Sequence, residues 1–241
     1  ENADYMDMKV KLEHLLHFNE IFSADAFLFS LDMKSGYHNV EVDPVLSRRM
    51  GFKFAGKTYV FLVIPFGFKL SPACFIKLTR QFIKKWRSIG PGRWLERFSA
   101  YTCNAFKGGA QCMQYIDDSA AGSKVFVVAV FLRNAMIREL ESLGFVLSAK
   151  GELLPLQILR FLGLIAHLAC PVPKWHVPTE KLQSILDVAS GLLDRRQPVQ
   201  LRKVGKCVGK LVSVSLAVPA ARLMSRDLNR AIYAKGTPNW A

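Results

Sequence analysis

Tyr115-Ile116-Asp117-Asp118 decides how this chain is read. Two adjacent carboxylates end an apolar, strand-like run, and the small residues Ser119-Ala120-Ala121-Gly122 follow. Adjacent aspartates alone suit a solvated turn equally well. A third aspartate changes the reading, because Asp32 ends another strand-like run, Phe27-Leu28-Phe29-Ser30-Leu31. Three carboxylates converging from two strand ends can hold two divalent metals about 3.5–4 Å apart. Such a pair activates a sugar hydroxyl and neutralises a departing pyrophosphate.

The chain has 241 residues, 51% of them hydrophobic, enough for one compound domain or two small ones. That composition excludes wholesale disorder. A net charge of +14 points to a polyanionic partner, with nucleic acid the leading candidate. The charge is uneven. Residues 77–107 hold eight Lys/Arg against Glu96, and residues 195–241 hold ten against Asp227. The five cysteines form no CxxC pair and are odd in number, which argues against zinc or a disulfide framework and for a reducing, intracellular compartment. Whether that is nucleus, cytoplasm or an organelle stays open. No signal peptide is visible, and the longest apolar run, Val125 to Leu132, is too short to span a bilayer, so no membrane partner is expected. The chain starts at Glu1 rather than Met, so an upstream segment has been removed or the true start lies outside this sequence.

Residues 8–22 read as a helix, and Val40 and Val42 alternate with polar residues as a strand ended by Pro44. Residues 50–63 read as a hairpin turning at Ala55-Gly56-Lys57. Pro65 to Pro72 is a loop, and a basic helix runs from about Ala73 to Arg87. Residues 88–110 have poor periodicity and read as a loop or insertion. Residues 111–122 form a hairpin carrying Asp117 and Asp118. Ser123 is the expected N-cap of a helix with Val128, Phe131, Leu132, Ala135 and Leu143 on its apolar face, closed by Gly144 and Phe145. Residues 158–169 read as a strand pair interrupted at Gly163. From Pro178 the pattern is helical. Leu182, Ile185, Leu186, Ala189, Leu192 and Leu193 form one stripe, and Val204, Val208, Leu211 and Val212 form the next. Lys203, Lys206 and Lys210 fall on another face of that second helix, and Arg222, Arg226 and Arg230 recur every four residues in the last. Such stripes suit either a solvated face or phosphate contacts.

These residues resemble reverse transcriptases. Phe29-Ser-Leu-Asp32-Met-Lys-Ser-Gly-Tyr37-His looks like motif A, and Ile64-Pro-Phe-Gly-Phe-Lys-Leu-Ser-Pro-Ala-Cys-Phe75 looks like motif B. Tyr115-Ile-Asp-Asp118 resembles motif C, Leu143-Gly-Phe145 through Lys150 motif D, and Phe161-Leu-Gly163 motif E. The order of all five is a far more specific signal than any one. The run from Val204 to Leu228 resembles the thumb of DIRS-type and Gypsy-related retroelement polymerases. The resemblance covers nearly the whole chain from about residue 8.

The resemblance implies an α+β fold: a polymerase palm, antiparallel sheet with packed helices, over residues 1–172, then a helical thumb over 173–241. It implies an RNA-directed DNA polymerase acting on an RNA or RNA/DNA primer–template with dNTPs. Asp32 and Asp117 would be the main ligands of two Mg²⁺ ions, or Mn²⁺ in their place, with Asp118 supporting and the Met33 carbonyl completing the shell. Lys150 would protonate pyrophosphate. Tyr37 would act as a steric gate against a ribose 2′-hydroxyl, and Phe66 and Gly67 would shape the nucleotide pocket. Phe161, Leu162 and Gly163 would form the primer grip. Lys203, Lys206, Lys210, Arg222, Arg226 and Arg230 would contact nucleic acid.

Two features depart from the family. The 31 residues before Asp32 hold no Arg-x-x-x-Asp-x-Arg-x-Leu-Asn run, so most of the fingers are missing as given. The segment 88–110 stands as an insertion between motifs B and C. Other chains supplying fingers, or joining a ribonucleoprotein, would fit. A second reading follows: a domesticated, inactive RNA-binding scaffold within a larger ribonucleoprotein. The retained carboxylates oppose it, because a scaffold has no need to hold three mutually repelling aspartates together.

Overall fold

The structure is a computed structural model, and it describes residues 12–88, 110–193 and 200–233. The chain clusters into two compact units, Glu1–Leu159 and Arg160–Ala241. Both mix helices with antiparallel strands, as an α+β fold requires.

In the first unit the elements run α1 (Phe18–Ile21), β1 (Phe27–Asp32), α2 (Pro44–Ser47), β2 (Gly51–Phe54), β3 (Lys57–Val60), α3 (Ser71–Ser88), β4 (Gln111–Tyr115), β5 (Asp118–Ser123) and α4 (Phe126–Ser142). Three strands form one antiparallel sheet in the order β1-β5-β4. The central strand β5 is built of Ser, Ala and Gly because its neighbours press close. A Cβ on Gly122 would lie 2.1 Å from the Phe27 carbonyl oxygen and 2.9 Å from Leu28 Cα. The free edge of β1 is taken up by residues 146–156. Leu28 and Leu156 exchange backbone bonds of 2.8 Å, Ser30 N–H donates to the Glu152 carbonyl, and Ser148 N–H donates to the Asp32 carbonyl.

The helices α3 and α4 pack on this sheet. Phe29, Leu31 and Met33 meet Phe75, Phe82, Ile83 and Trp86 of α3 and Val128, Leu132, Met136 and Leu140 of α4. Each such side chain contributes about 1.5–3 kcal/mol by leaving water. Glu139 ties the two helices, accepting from Trp86 Nε1 at 2.9 Å and Lys85 Nζ at 2.6 Å.

Several local expectations are corrected. Of the described residues 12–22 a 3-10 turn (Leu15–His17) and the single turn α1 are helical, and residues 8–11 lie outside the described chain. The Val40–Val42 run makes one isolated bridge, Glu41 to Val63, and Pro44 starts α2 with Asp43 as its cap rather than ending a strand. Lys57 belongs to β3, so the hairpin turns on Ala55 and Gly56, both at positive φ. The helix α3 begins at Ser71, since proline is tolerated in a first helical turn. Ser123 ends β5, and the N-cap of α4 is Val125, whose N–H the Ser123 hydroxyl accepts. Leu143 caps that helix in an exposed position rather than joining its apolar face. The expected insertion falls almost wholly on residues 89–109, outside the described chain.

The second unit contains β6 (Ile158–Phe161, its first residues just before the division), β7 (Leu164–His167) and β8 (Lys174–His176) in the order β6-β7-β8. The turn between β6 and β7 holds Leu162 and Gly163 at φ 47 and 75, the twist a two-residue hairpin demands. Helices α5 (Thr179–Leu193), α6 (Leu201–Val212), α7 (Ala220–Met224) and α8 (Arg226–Tyr233) follow. The stripe on α5 is only partly used: Ile185 is buried, whereas Leu182, Leu186 and Leu193 are exposed. On α6, Val208 is buried and Val212 is exposed, against expectation. The last basic stripe spans two short helices broken at Ser225, not one.

Candidate active site

Antiparallel register brings Asp32, the last residue of β1, directly opposite Asp118, the first of β5. Asp117 sits one residue earlier, in the two-residue turn from β4. Its partner in that turn, Ile116, has φ 56. A β-branched residue there costs about 1–3 kcal/mol and persists only where its surroundings hold it. Gln114 supplies the hold. Its amide nitrogen donates to the Ile116 carbonyl at 2.7 Å, and its amide oxygen accepts the Ser119 hydroxyl at 2.6 Å. The Met33 N–H donates to the Asp117 carbonyl at 3.2 Å, which ties the turn to β1.

The segment after α4 brings up the lysine. Lys34 N–H donates to the Val146 carbonyl and Ser148 N–H to the Asp32 carbonyl, both at 2.8 Å. A Cβ on Gly151 would lie 2.7 Å from the Ser30 carbonyl oxygen, so this segment lies tight against β1. Lys150 follows, exposed, its N–H on the Ser148 hydroxyl and its charge felt by both Asp117 and Asp118.

The carboxylates strain against their surroundings. Burial, then the charges of Asp117 and Asp32, push Asp118 up to about 6, with Lys150 opposing. Burial also raises Asp117, as does Asp32, while its own backbone bond and Lys150 lower it. Among the described residues no three His, Cys, Asp or Glu side chains form a ready metal cage. Mg²⁺ seldom uses one. It takes one or two carboxylates and completes its shell with phosphate and water. A half-buried, mutually repelling aspartate pair fits that donor set. The two bonds flanking Met33 use the Asp32 carbonyl and the Lys34 N–H, not the Met33 carbonyl.

Tyr37 lies in the 3-10 turn Gly36–Asn39, its ring centroid 5.0 Å from Phe66 and 5.3 Å from Phe75. Burial first and Asp117 second raise its hydroxyl above the usual tyrosine range. The charge of Asp117 therefore reaches this ring. Gly67 follows Phe66 at φ 85, a conformation that favours glycine. Phe161, Leu162 and Gly163 lie at the β6–β7 turn, where Lys181 Nζ donates to the Gly163 carbonyl at 3.1 Å. Lys203 and Lys206 are exposed on α6, while Lys210 turns to the Ser184 hydroxyl of α5. Arg222 is exposed, and Arg226 and Arg230 lie 3.8 and 3.7 Å from Asp227.

Sequence reasoning missed the supports. Arg87 donates to the Cys112 carbonyl at 2.7 Å and to Glu13 at 2.6 Å, and Glu13 accepts the Gln114 N–H at 3.0 Å. Gln114 and Gly36 also escaped notice. A glutamine directly before an aromatic-led turn was the available signal for the first.

Known proteins resemble this chain in sequence and in fold. The family model described as reverse transcriptase (RNA-dependent DNA polymerase) matches residues 6–165. The genome polyprotein of Petunia vein clearing virus (isolate Shepherd) is 30% identical over 142 residues, 58% of this chain and 6% of the polyprotein, and that of isolate Hohn matches equally. The foamy viral protease-reverse transcriptase solved with double-stranded DNA superposes with a TM-score of 0.70 at 16% identity, covering 97% of this chain and 35% of that one. The same viral enzyme solved with an RNA/DNA hybrid gives 0.65 at 15% identity, with 97% and 28% covered. At those identities the likeness speaks for the fold, and the chain spans only a small part of its relatives. By the family match, which takes in the aspartate-bearing strands, this chain belongs to the reverse transcriptase (RNA-dependent DNA polymerase) family.

Proposed function

We propose that this chain is the RNA-directed DNA polymerase domain of a retroelement, joining dNTPs to a primer 3′-hydroxyl. The observation that carries the reading is the pairing of Asp32 with Asp118 across β1 and β5, with Asp117 in the adjoining turn. Asp32 and Asp117, supported by Asp118 and the Met33 carbonyl, would hold two Mg²⁺ or Mn²⁺ ions, which would supply charge neutralisation at the phosphates and a more acidic primer hydroxyl. The protein's own part is positioning. Tyr37, held between Phe66 and Phe75, would deny room to a 2′-hydroxyl, and Phe66 with Gly67 would border the incoming nucleotide. Lys150 would give its proton to the departing pyrophosphate.

In this reading residues 1–172 act as palm with partial fingers and 173–241 as thumb. Phe161, Leu162 and Gly163 would grip the primer. Lys203, Lys206, Arg222, Arg226 and Arg230 would meet phosphates, with Lys210 joining them by leaving Ser184. The nucleic-acid complexes of the foamy viral enzyme support an RNA/DNA or DNA duplex as the ligand. The second reading, an inactive RNA-binding scaffold, draws on the segment 88–110, which stands as an insertion between the runs that resemble motifs B and C.

Primer extension on an RNA template with dNTPs and Mg²⁺, beside Asp117→Ala, tests the proposal. Extension that the substitution abolishes is expected. No extension, with tight RNA binding in both proteins, would transfer the assignment to the scaffold.

A further inference from the structure

The hairpin β2–β3 is a two-stranded sheet of its own, with Phe52 opposite Tyr59 and Phe54 opposite Lys57. All its residues are exposed. Strand alternation gathers Phe52, Phe54, Lys57 and Tyr59 on one face. Phe54 is 69% exposed, and Phe52 and Tyr59 are 44% and 43%. The Phe52 and Tyr59 rings stack at 5.6 Å and 22°, and Phe61 closes the base at 5.0 Å from Phe52. Large apolar surface of this kind marks a binding face.

Charge decides which partner suits it. Between Pro44 and Leu95 the chain holds eleven Lys/Arg and not one Asp or Glu. Four of these cations, Arg48, Arg49, Lys53 and Lys57, lie on the hairpin or directly before it. An apolar protein surface gains nothing from that field, whereas flat bases on a phosphate backbone use both the rings and the charge. The hairpin is also tied to the Tyr37 turn. Ile64 N–H donates to the Val40 carbonyl at 3.0 Å, and Val40 N–H donates to the Tyr37 carbonyl at 3.1 Å.

We propose that the β2–β3 hairpin is a stacking platform for single-stranded nucleic acid. Bases lie on Phe52, Phe54 and Tyr59, and phosphates are met by Lys57 on that face and by Arg48 and Arg49 just before the hairpin. The proposal does not rest on catalysis, because its readout is binding of a single strand.

The whole chain is titrated against a fluorescein-labelled oligothymidylate, read by anisotropy across a salt series. Phe54→Ala is expected to weaken binding about 10-fold or more, the value of one lost stack. Phe54→Leu, which keeps apolar area but loses the ring, is expected to behave alike, and Phe54→Trp to restore affinity. Lys57→Gln is expected to lower the salt slope by about 0.7. Independently, an oligonucleotide carrying 5-iodouridine is expected to photocross-link to the hairpin of the unaltered chain. No single-strand binding by that chain, full affinity in Phe54→Leu, or no hairpin adduct would overturn the proposal. Self-association that Phe54→Ala removes and Phe54→Leu keeps would assign the face to protein contact and overturn it too.

Discussion

Gly36 is where core packing and the carboxylates touch, and Gly36→Ala is expected to damage both. A Cβ there would lie 2.7 Å from Phe75 Cζ, 3.2 Å from Phe75 Cε1 and 3.3 Å from Asp117 Cβ. Ordinary carbon contacts are about 3.5–4.0 Å, so the new methyl intrudes by roughly 0.8 Å or more. The Phe75 ring is fully buried and holds Tyr37 edge-on, which leaves it little room to retreat. The backbone near Gly36 or Asp117 must give way instead. Overpacking of this kind costs about 1–3 kcal/mol. At roughly 2–4 °C per kcal/mol the melting temperature should fall by about 2–12 °C. Misplacing a reacting group by about 1 Å costs about 100-fold, so a shift of a few tenths of an ångström at Asp117 should slow primer extension about 10-fold. Phe75→Leu removes both offending ring atoms. A double-mutant cycle should therefore return a favourable coupling of about 0.5–3 kcal/mol in thermal or urea unfolding, with part of the extension rate regained. Wild-type melting and activity in Gly36→Ala, or strict additivity in the double variant, would refute the steric reasoning.

Gln114→Leu should cost about 1–3 kcal/mol in urea unfolding, because the buried Ser119 hydroxyl and the Ile116 carbonyl both lose a partner. An unchanged midpoint would show that the turn holds itself. For Asp118 the folded carboxyl titrates near 6, above its ordinary 3.8. The folded state then binds more protons, so this group's contribution to stability is present at low pH and is lost as pH rises from about 4 to 6. Melting of metal-free protein across that window should show the fall, and Asp118→Asn should flatten it; an identical slope in the variant would exclude Asp118 as its source. Lys206→Ala should weaken primer–template binding evenly across sequences and lower the salt slope by about 0.9 on duplex, measured by anisotropy.

The sheet was legible because its signals are local. An apolar run closed by Asp32 gives β1, and the tight turn before Asp118, followed by a run of small residues, gives the β4–β5 hairpin. The helix boundaries were less so. Ser123 carries the composition of a cap yet finishes a strand, and Ser225 interrupts what spacing alone makes a continuous arginine helix. The strand β8 is three residues, Lys174-Trp175-His176, too short and too polar to alternate visibly. Within the candidate site the aspartates, Tyr37 and Lys150 could be named from the family pattern, and their surroundings could not. The hold of Gln114 on Ile116, and the fit of Gly36 between Phe75 and Asp117, depend on how distant segments pack. No periodicity in one sequence encodes that.

The position of β1 sets the order in which the molecule can assemble. The β4–β5 hairpin closes through two residues and α4 forms next to it, so this half can organise early. Both neighbours of β1 lie far along the chain, β5 on one edge and residues 146–156 on the other. Closing such long loops is entropically costly and slow. Asp32 therefore meets Asp118 only when β1 inserts, in the last and slowest pairing of the sheet. A chain released half-folded carries no opposed carboxylates, so any chemistry that needs Asp32 beside Asp118 must wait for the sheet to close.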